Sequence, residues 1–485
     1  MSQVPTVRRP LVMAAVMSAM FMIAIEATIV STAMPQIAAQ LGDLHLYSWV
    51  FSAFLLAQTA TTMVFGKLAD VFGRKPVLLV GIAIFLVGSL LCGFAPTMPW
   101  LIAFRLIQGL GAGAIQPIAL TIVGDLYPGH ERGRVQGYLA SVWGVSSVLG
   151  PLAGGLITQH LHWAWVFWIN VPVGIVAAAL FLLFLHEHVS AKVRRVDVPG
   201  AVLFAVAVAA LMVALTEIGG AVSTVLLAAG VFVVTTILFV LQERRAADPM
   251  VAFGLWARRP IASANAATLL SGMAIIGLTA FLPMYVQGVL NRSALVAGFT
   301  LTAMSFGWPV GATIAARTFF RRFGLRGTLV LGAALLPVGA AAMLLLRPGS
   351  SPIVAGLGSL VMGLGMGFLS TSAIVLIQST VGWDERGAAT ASNVFSRNLG
   401  STFGATLLGG VLNASLAHRG LGQAAVGLDQ IRQLLERPGA PGEAAVQAAL
   451  GQALHLTFWA MFLITVSAFA AASLVPRVAL KQPAE

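Results

Sequence analysis

Along most of this chain apolar positions do not alternate with polar ones. They run on for roughly twenty residues or more at a time and are broken by short basic or glycine-rich turns. A helical run of that length matches the hydrocarbon core of a bilayer, about 30 Å at 1.5 Å per residue. The pattern predicts fourteen transmembrane helices, over residues 11–35, 47–66, 77–95, 99–124, 135–157, 165–185, 198–215, 220–241, 261–290, 294–316, 327–346, 352–380, 388–416 and 456–476. An even number of crossings places both termini on one side. The first run is too long for the apolar stretch of a cleaved signal and is expected to be retained.

Composition agrees with the pattern. Charged residues make up 9% of the chain and apolar residues 58%, against roughly a quarter charged in soluble domains. With Arg8 and Arg9 assigned to the cytoplasm, alternation puts Lys67, Arg74, Lys75, Lys192, Arg194, Arg195, Arg244, Arg245, Arg321 and Arg322 inside and few basic residues outside. The net charge of +12 is thus the charge of a positive-inside membrane protein, and no nucleic-acid partner is expected.

Enzyme chemistry finds no foothold. Cys92 is the only cysteine, so an intrachain disulfide, a thiolate metal cluster and a CxxC redox site are ruled out. There is no HExxH, no GxSxG and no phosphate-binding lysine loop, so neither a catalytic residue, a bound cofactor, a metal nor direct ATP drive is expected. His160 and His162 stand beside tryptophans on a short outer loop, where an interfacial role fits.

Laid on itself, the chain repeats at an offset of about 254 residues. Gly109, Gly111 and Gly113 fall on Gly363, Gly365 and Gly367, and Glu131, Arg132 and Gly133 on Glu385, Arg386 and Gly387. Gly150 falls on Gly404, Gly155 on Gly409, and Phe72-Gly73-Arg74 has a degenerate echo in Phe323, Gly324 and Arg326. Such symmetry is common in transporters. It predicts an N-terminal six-helix bundle over residues 1–190, two inserted helices with their linkers over 191–250, and a C-terminal six-helix bundle over 251–485. The outer loop 417–455 carries Leu428, Ile431, Leu434 and Leu435 at helical spacing, which reads as an amphipathic surface helix.

Five strings carry chemistry. The turn after the second helix reads Gly66-Lys67-Leu68-Ala69-Asp70-Val71-Phe72-Gly73-Arg74-Lys75-Pro76. Gly66 permits close helix contact, Gly73 a tight turn, and Asp70 can bind an opposing helix N-terminus or an arginine. The fourth helix reads Arg105-Leu106-Ile107-Gln108-Gly109-Leu110-Gly111-Ala112-Gly113. The fifth carries Gly144, Gly150, Pro151, Gly154 and Gly155, a thin helix able to pack closely and bend. The sixth opens Trp163-Ala164-Trp165-Val166-Phe167-Trp168-Ile169-Asn170-Val171-Pro172, and the first closes Glu26-Ala27-Thr28-Ile29-Val30-Ser31-Thr32-Ala33-Met34-Pro35.

Together these resemble the major facilitator superfamily over nearly the whole chain, and within it the fourteen-helix drug:proton antiporters. The resemblance implies an all-α fold of two six-helix bundles related by a pseudo-twofold axis, with two further helices. It also implies a cytoplasmic gate at Gly66, Asp70, Gly73, Arg74 and Lys75, proton coupling at Arg105, and the antiporter string on the fifth helix. Many members carry aspartate at the position of Glu26 and arginine at that of Ala164, so this chain keeps the acid and lacks the outer cation. A multi-pass monomer in the cytoplasmic (inner) membrane is expected, with both termini cytoplasmic. Its partners would be the bilayer, protons and small lipophilic substrates, and a proton gradient would drive it.

Only three ionised side chains interrupt the apolar spans: Glu26, Arg105 and Arg397. An intramembrane acid marks a functional site. Counted along their helices, the depths of Glu26 and Arg105 agree within roughly 5 Å, so the two are expected to meet across the central cavity. A conformational change that alters the desolvation of Glu26 or its distance from a guanidinium changes its proton affinity. The expected cycle exports a lipophilic, cationic compound that competes with a proton for that carboxylate. Two arginines against one acid keep an anionic cargo open, as is a dedicated exporter of one lipid, toxin or siderophore-like metabolite, or a non-transporting receptor. Gln58, Gln116, Trp143, Asn265, Tyr285 and Asn393 are further candidates for cargo contact, together with Glu26 and Arg397, although single amides and aromatics inside bundles more often pack or bond between helices.

Overall fold

The computed structural model describes residues 9–42, 46–187, 197–217, 221–246, 253–419 and 443–477, and the described chain is helical throughout. The helices are α1 (Arg9–Leu41), α2 (Tyr47–Phe72), α3 (Arg74–Gly93), α4 (Met98–Leu126), α5 (Gly129–His160), α6 (Trp165–Trp168), α7 (Asn170–Phe184), α8 (Val198–Thr216), α9 (Val222–Glu243), α10 (Phe253–Trp256), α11 (Arg259–Gly288), α12 (Ala294–Ile314), α13 (Phe320–Leu344), α14 (Pro352–Thr380), α15 (Arg386–Arg419) and α16 (Glu443–Ser473). Twelve helical stretches among the described residues are long and apolar enough to cross a membrane.

Several boundaries differ from those the hydropathy predicts. The sixth expected helix breaks at Ile169 into α6 and α7. Much of the turn expected over 317–326 is helical: a π-helical turn, Ala315–Phe319, carries α12 into α13, so Val296–Leu344 forms one apolar stretch. The chain bends within that expected turn, at Gly324, whose φ of 69° only glycine adopts at low cost. The last helix starts at Glu443, before its apolar run begins. The surface helix expected around Leu428–Arg437, and most of the linkers around the inserted pair, lie outside the described residues.

The chain divides into two compact units. The first holds the described residues up to Ile261 together with Ile377–Phe395. In it α1 packs on α4, α5 and α7, and α2 and α3 pack on α4. Its core gathers Ile25, Ile29, Met34, Val50, Met98, Trp163 and Phe167. The pair α8 and α9, expected from the repeat to be an insertion, forms a hairpin within this unit, and α8 lies against α2. Asp197 caps α8 at Gly200 and accepts from Gln242 at the end of α9, 2.9 Å away. The outer surface of α9 is Val222, Leu226, Leu227, Val234 and Ile237, all exposed, as suits a helix against lipid.

The second unit holds Ala262–Leu376 and the described residues from Ser396. Its core joins Leu278, Leu282, Tyr285, Met362, Leu412, Phe458 and Met461. The sequence repeat has a packing reason visible in both units. Gly109 and Gly113 lie on the backbone of α2 at Phe54 and Gln58, while Gly111 lies on α3 at Gly81 and Phe85. Gly363 and Gly367 meet α12 at Met304 and Trp308, and Gly365 meets α13 at Gly332. Side chains there would push the helices apart, and in a membrane close packing drives helix association.

Candidate functional site

Two polar clusters lie in the first unit. The deeper one surrounds Glu26, in the middle of α1 and fully buried. Arg105 of α4 forms an ion pair with its Oε1, and Asn170, the first residue of α7, donates to its Oε2. Arg105 is spread over several acceptors: Nη1 also donates to Gln108 Oε1 at 2.7 Å, and Nε donates to the Val50 carbonyl of α2 at 3.2 Å. Its guanidinium lies over the Phe54 ring, 4.3 Å from the centroid. Gln108 Nε2 donates to Ser89 Oγ of α3 at 2.8 Å, and Asn170 Nδ2 reaches the same hydroxyl at 3.2 Å. The Cys92 thiol, 3.8 Å from Gln108 Oε1, closes the cluster.

Arginine and glutamate neutralise one another here, and the amides satisfy most of what the pair leaves over. A buried ion pair persists only with such support, because its desolvation cost is large. Glu26 and Arg105 therefore meet, as their depths imply, but inside the first unit and sealed from solvent rather than across an open cavity.

The second cluster is built on the turn between α2 and α3. Gly73, at φ 94°, reverses the chain and brings Arg74 back beneath Asp70. Asp70 caps α15: the backbone N–H of Gly387 donates to Oδ1 at 2.9 Å and that of Ala388 to Oδ2 at 2.7 Å. Helix N-termini attract carboxylates for this reason. Arg74 lies 3.0 Å from both Asp70 Oδ1 and Asp125 Oδ2, donates to the Trp383 carbonyl at 2.6 Å, and stacks 3.8 Å from that ring's centroid. Arg386 holds Asp125 from the other side and donates to the Gly124 carbonyl at 3.1 Å.

Glu187 accepts the N–H groups of both Arg74 and Lys75 at the start of α3, at 3.0 and 2.9 Å, and Lys75 Nζ donates to the Leu182 carbonyl. Gly66 lies flat on α15, where a Cβ would collide with that of Ala391.

The glycine string on α5 divides. Gly150 and Gly154 pack on Thr28, Ile29 and Thr32 of α1, and Thr28 Oγ1 donates to the Ser146 carbonyl across the same seam at 3.0 Å. Gly144 is half-buried and its carbonyl accepts from Ser147, whereas Pro151 is exposed and Gly155 borders open space.

The remaining candidates are distributed over both units. Gln58 and Gln116 are buried in the first unit, as is Asn393, while Trp143 is 36% exposed on α5. Asn265 is buried in the second unit. Tyr285 packs against Phe458 in that unit's apolar core, which gives it a structural part. Arg397 is half-buried on α15, and its guanidinium has no hydrogen-bond or ion-pair partner among the described residues.

Sequence reading passed over Asn170, Gln108, Ser89, Asp125, Glu187 and Arg386. Asn170 and Gln108 stand inside strings already singled out, and Arg386 inside the repeat. Nothing along the chain ties Asp125 or Glu187 to Arg74.

Residues 16–405 match the sequence model of the Major Facilitator Superfamily. The chain belongs to that superfamily. It is a multi-pass membrane transporter of the all-helical major facilitator fold. Among its relatives is multidrug resistance protein 3 of Bacillus subtilis (strain 168), 36% identical over 395 residues, 80% of this chain and 77% of that protein. Multidrug transporter protein MdtP of the same organism is 32% identical over 411 residues, 84% of this chain and 76% of that one. The crystal structure of the human organic anion transporter MFSD10 (TETRAN) shares the fold at a TM-score of 0.65 and 16% identity, covering 94% of this chain and 99% of its own.

Proposed function

We propose that this transporter is a proton-coupled antiporter that exports lipophilic compounds across the cytoplasmic membrane by alternating access, with Glu26 as the proton carrier. The observation that carries this reading is the Glu26–Arg105 pair: an acid at full burial, matched by one arginine and released if either partner moves. The multidrug names of the Bacillus relatives support efflux as the direction. Fourteen crossings fit the helices if Val296–Leu344 counts as two and α15, too polar to stand out by hydropathy, as one more.

In this reading cargo enters from the cytoplasm or inner leaflet while Glu26 is ionised, and protonation from outside drives its release. The Asp70 cluster serves as the cytoplasmic gate, because its bonds to Gly387, Ala388 and Trp383 form only while α2 and α15 lie together. A cationic cargo competes for the carboxylate directly. Arg397 favours a second reading: an intramembrane cation with no counter-charge among the described residues suits a cargo bearing a carboxylate or other anionic group.

Everted vesicles energised to a proton gradient test both. Dequenching on addition of lipophilic cations, lost in Glu26→Gln, supports proton/cation antiport. A response unchanged in the variant rejects Glu26 as the carrier. Dequenching by lipophilic carboxylates alone, lost in Arg397→Gln, selects the anionic cargo.

A further inference from the structure

The Asn170 side chain is fully buried, and its two polar atoms fare unequally. Nδ2 donates to Glu26 Oε2 and to Ser89 Oγ, whereas Oδ1 is buried with no hydrogen-bond partner. A buried acceptor left empty is costly, and one beside a buried acid calls for an explanation. Ionised Glu26 can only accept; protonated Glu26 carries one O–H that must donate. Arg105, a donor at every nitrogen, cannot receive that hydrogen, and neither can Asn170 Nδ2.

We propose that Asn170 is a positioning residue that takes over Glu26 when it is protonated. The Oε1–H of the acid, released from Arg105, donates to Asn170 Oδ1, while Asn170 Nδ2 keeps its bond to Oε2. The result is a cyclic acid–amide pair. A proton is added to Oε1, one ion pair is broken and one hydrogen bond to the empty acceptor is made. The terminal torsions of both side chains are broad, so the exchange needs no backbone step. Protonation then moves the allegiance of α1 from α4 to α7 and leaves the Arg105 guanidinium with Gln108 and the Val50 carbonyl.

Among the described residues the charged and titratable groups around Glu26 are Arg105 from α4 and the Cys92 thiol from α3. α2, α5 and α7 contribute uncharged side chains at this depth. Neither Arg105 nor Cys92 offers a protonated carboxyl an acceptor as good as an amide oxygen, and the amide oxygen of Gln108, which also reaches Glu26, already accepts from Arg105, whereas Asn170 Oδ1 accepts from nothing.

The inference rests on the proton-coupling reading, and infrared difference spectroscopy of the full-length protein in liposomes separates the two. Between alkaline and acid pH, a carboxylic C=O band absent from Glu26→Gln identifies protonated Glu26. In the wild type it should lie at the low frequency of a doubly hydrogen-bonded acid, and in Asn170→Leu it should move to higher wavenumber. Asn170→Ser, smaller and still polar, carries the same expectation should the leucine variant fail to fold. A band unmoved in a folded Asn170 variant overturns the acid–amide pair. A Glu26 that never protonates overturns the pair and antiport together. A Glu26 band indifferent to tetraphenylphosphonium, yet shifted in the Asn170 variants, rejects coupling to that cation and leaves the acid–amide pair standing.

Discussion

The backbone N–H of Gly387 donates to Oδ1 of Asp70 across 317 residues of sequence, at 2.9 Å. With the neighbouring bond from Ala388 it fastens the end of α2 to the start of α15 through a carboxylate at a helix N-terminus. Bonds to an ionised group are worth about 1.5–3 kcal/mol each, so losing both tilts any equilibrium that makes and breaks them by more than tenfold. Asp70→Ala is therefore expected to reach the membrane but lower efflux at least tenfold in everted vesicles, with Asp70→Asn intermediate.

Gly66 offers a reciprocal test of the same seam. Its Cβ would occupy the place of the Ala391 methyl group. Gly66→Ala should weaken transport several-fold, and the double variant with Ala391→Gly should recover much of it. Equal loss in single and double variants would show that the contact is not the cause.

Arg105 cannot be exchanged for lysine without loss. Its planar head serves Glu26, Gln108, the Val50 carbonyl and the Phe54 face at once, a geometry an ammonium lacks. Arg105→Lys is expected to lower transport more than tenfold and to reduce thermal stability in detergent, with retained charge giving no rescue at low salt.

Much of this was legible along the chain, and for definite reasons. Membrane helices declare themselves by length and apolarity, and lone charges such as Glu26 and Arg105 stand out against them. The break between α12 and α13 falls inside the turn expected there, at Gly324, but the backbone stays helical through a π turn just before it, which the basic residues Arg317, Arg321 and Arg322 do not reveal. The partners of Arg74 were illegible for another reason. Asp125 and Glu187 lie far from it in sequence and carry no local pattern, so only folding brings their carboxylates to it.

Arg326 tests the echo of the turn motif in the second unit. It donates to the carbonyls of Val475 at 2.6 Å and Ser473 at 3.2 Å, at the end of α16, much as Lys75 serves the end of α7. Cations there offset the helix dipole and satisfy terminal carbonyls. Arg326→Ala should destabilise the protein by about 1–3 kcal/mol, read as a lower melting temperature, and slow transport less than the Asp70 variants do.

Cys92 provides a reporter without engineering. It is fully buried beside Gln108, and buried thiols are inert. Maleimide should leave the folded protein unlabelled and react fully after denaturation. Labelling of the folded protein that rises with added substrate would mean that α3 and α4 part during the cycle.

The cluster around Arg74 sets three acids, Asp70, Asp125 and Glu187, against the bases Arg74, Lys75 and Arg386, with Arg132 within electrostatic reach of Asp125 and Arg386. Acids and bases nearly balance there, so pulling it apart shifts little net charge through the electric field of the membrane. Each unbalanced charge that crossed would feel about 2.3 kcal/mol per 100 mV; this latch feels almost none. In the proposed cycle the voltage dependence is then left to what moves past it, the proton on Glu26 and the charge of the cargo, and currents measured across a planar bilayer would read those two directly.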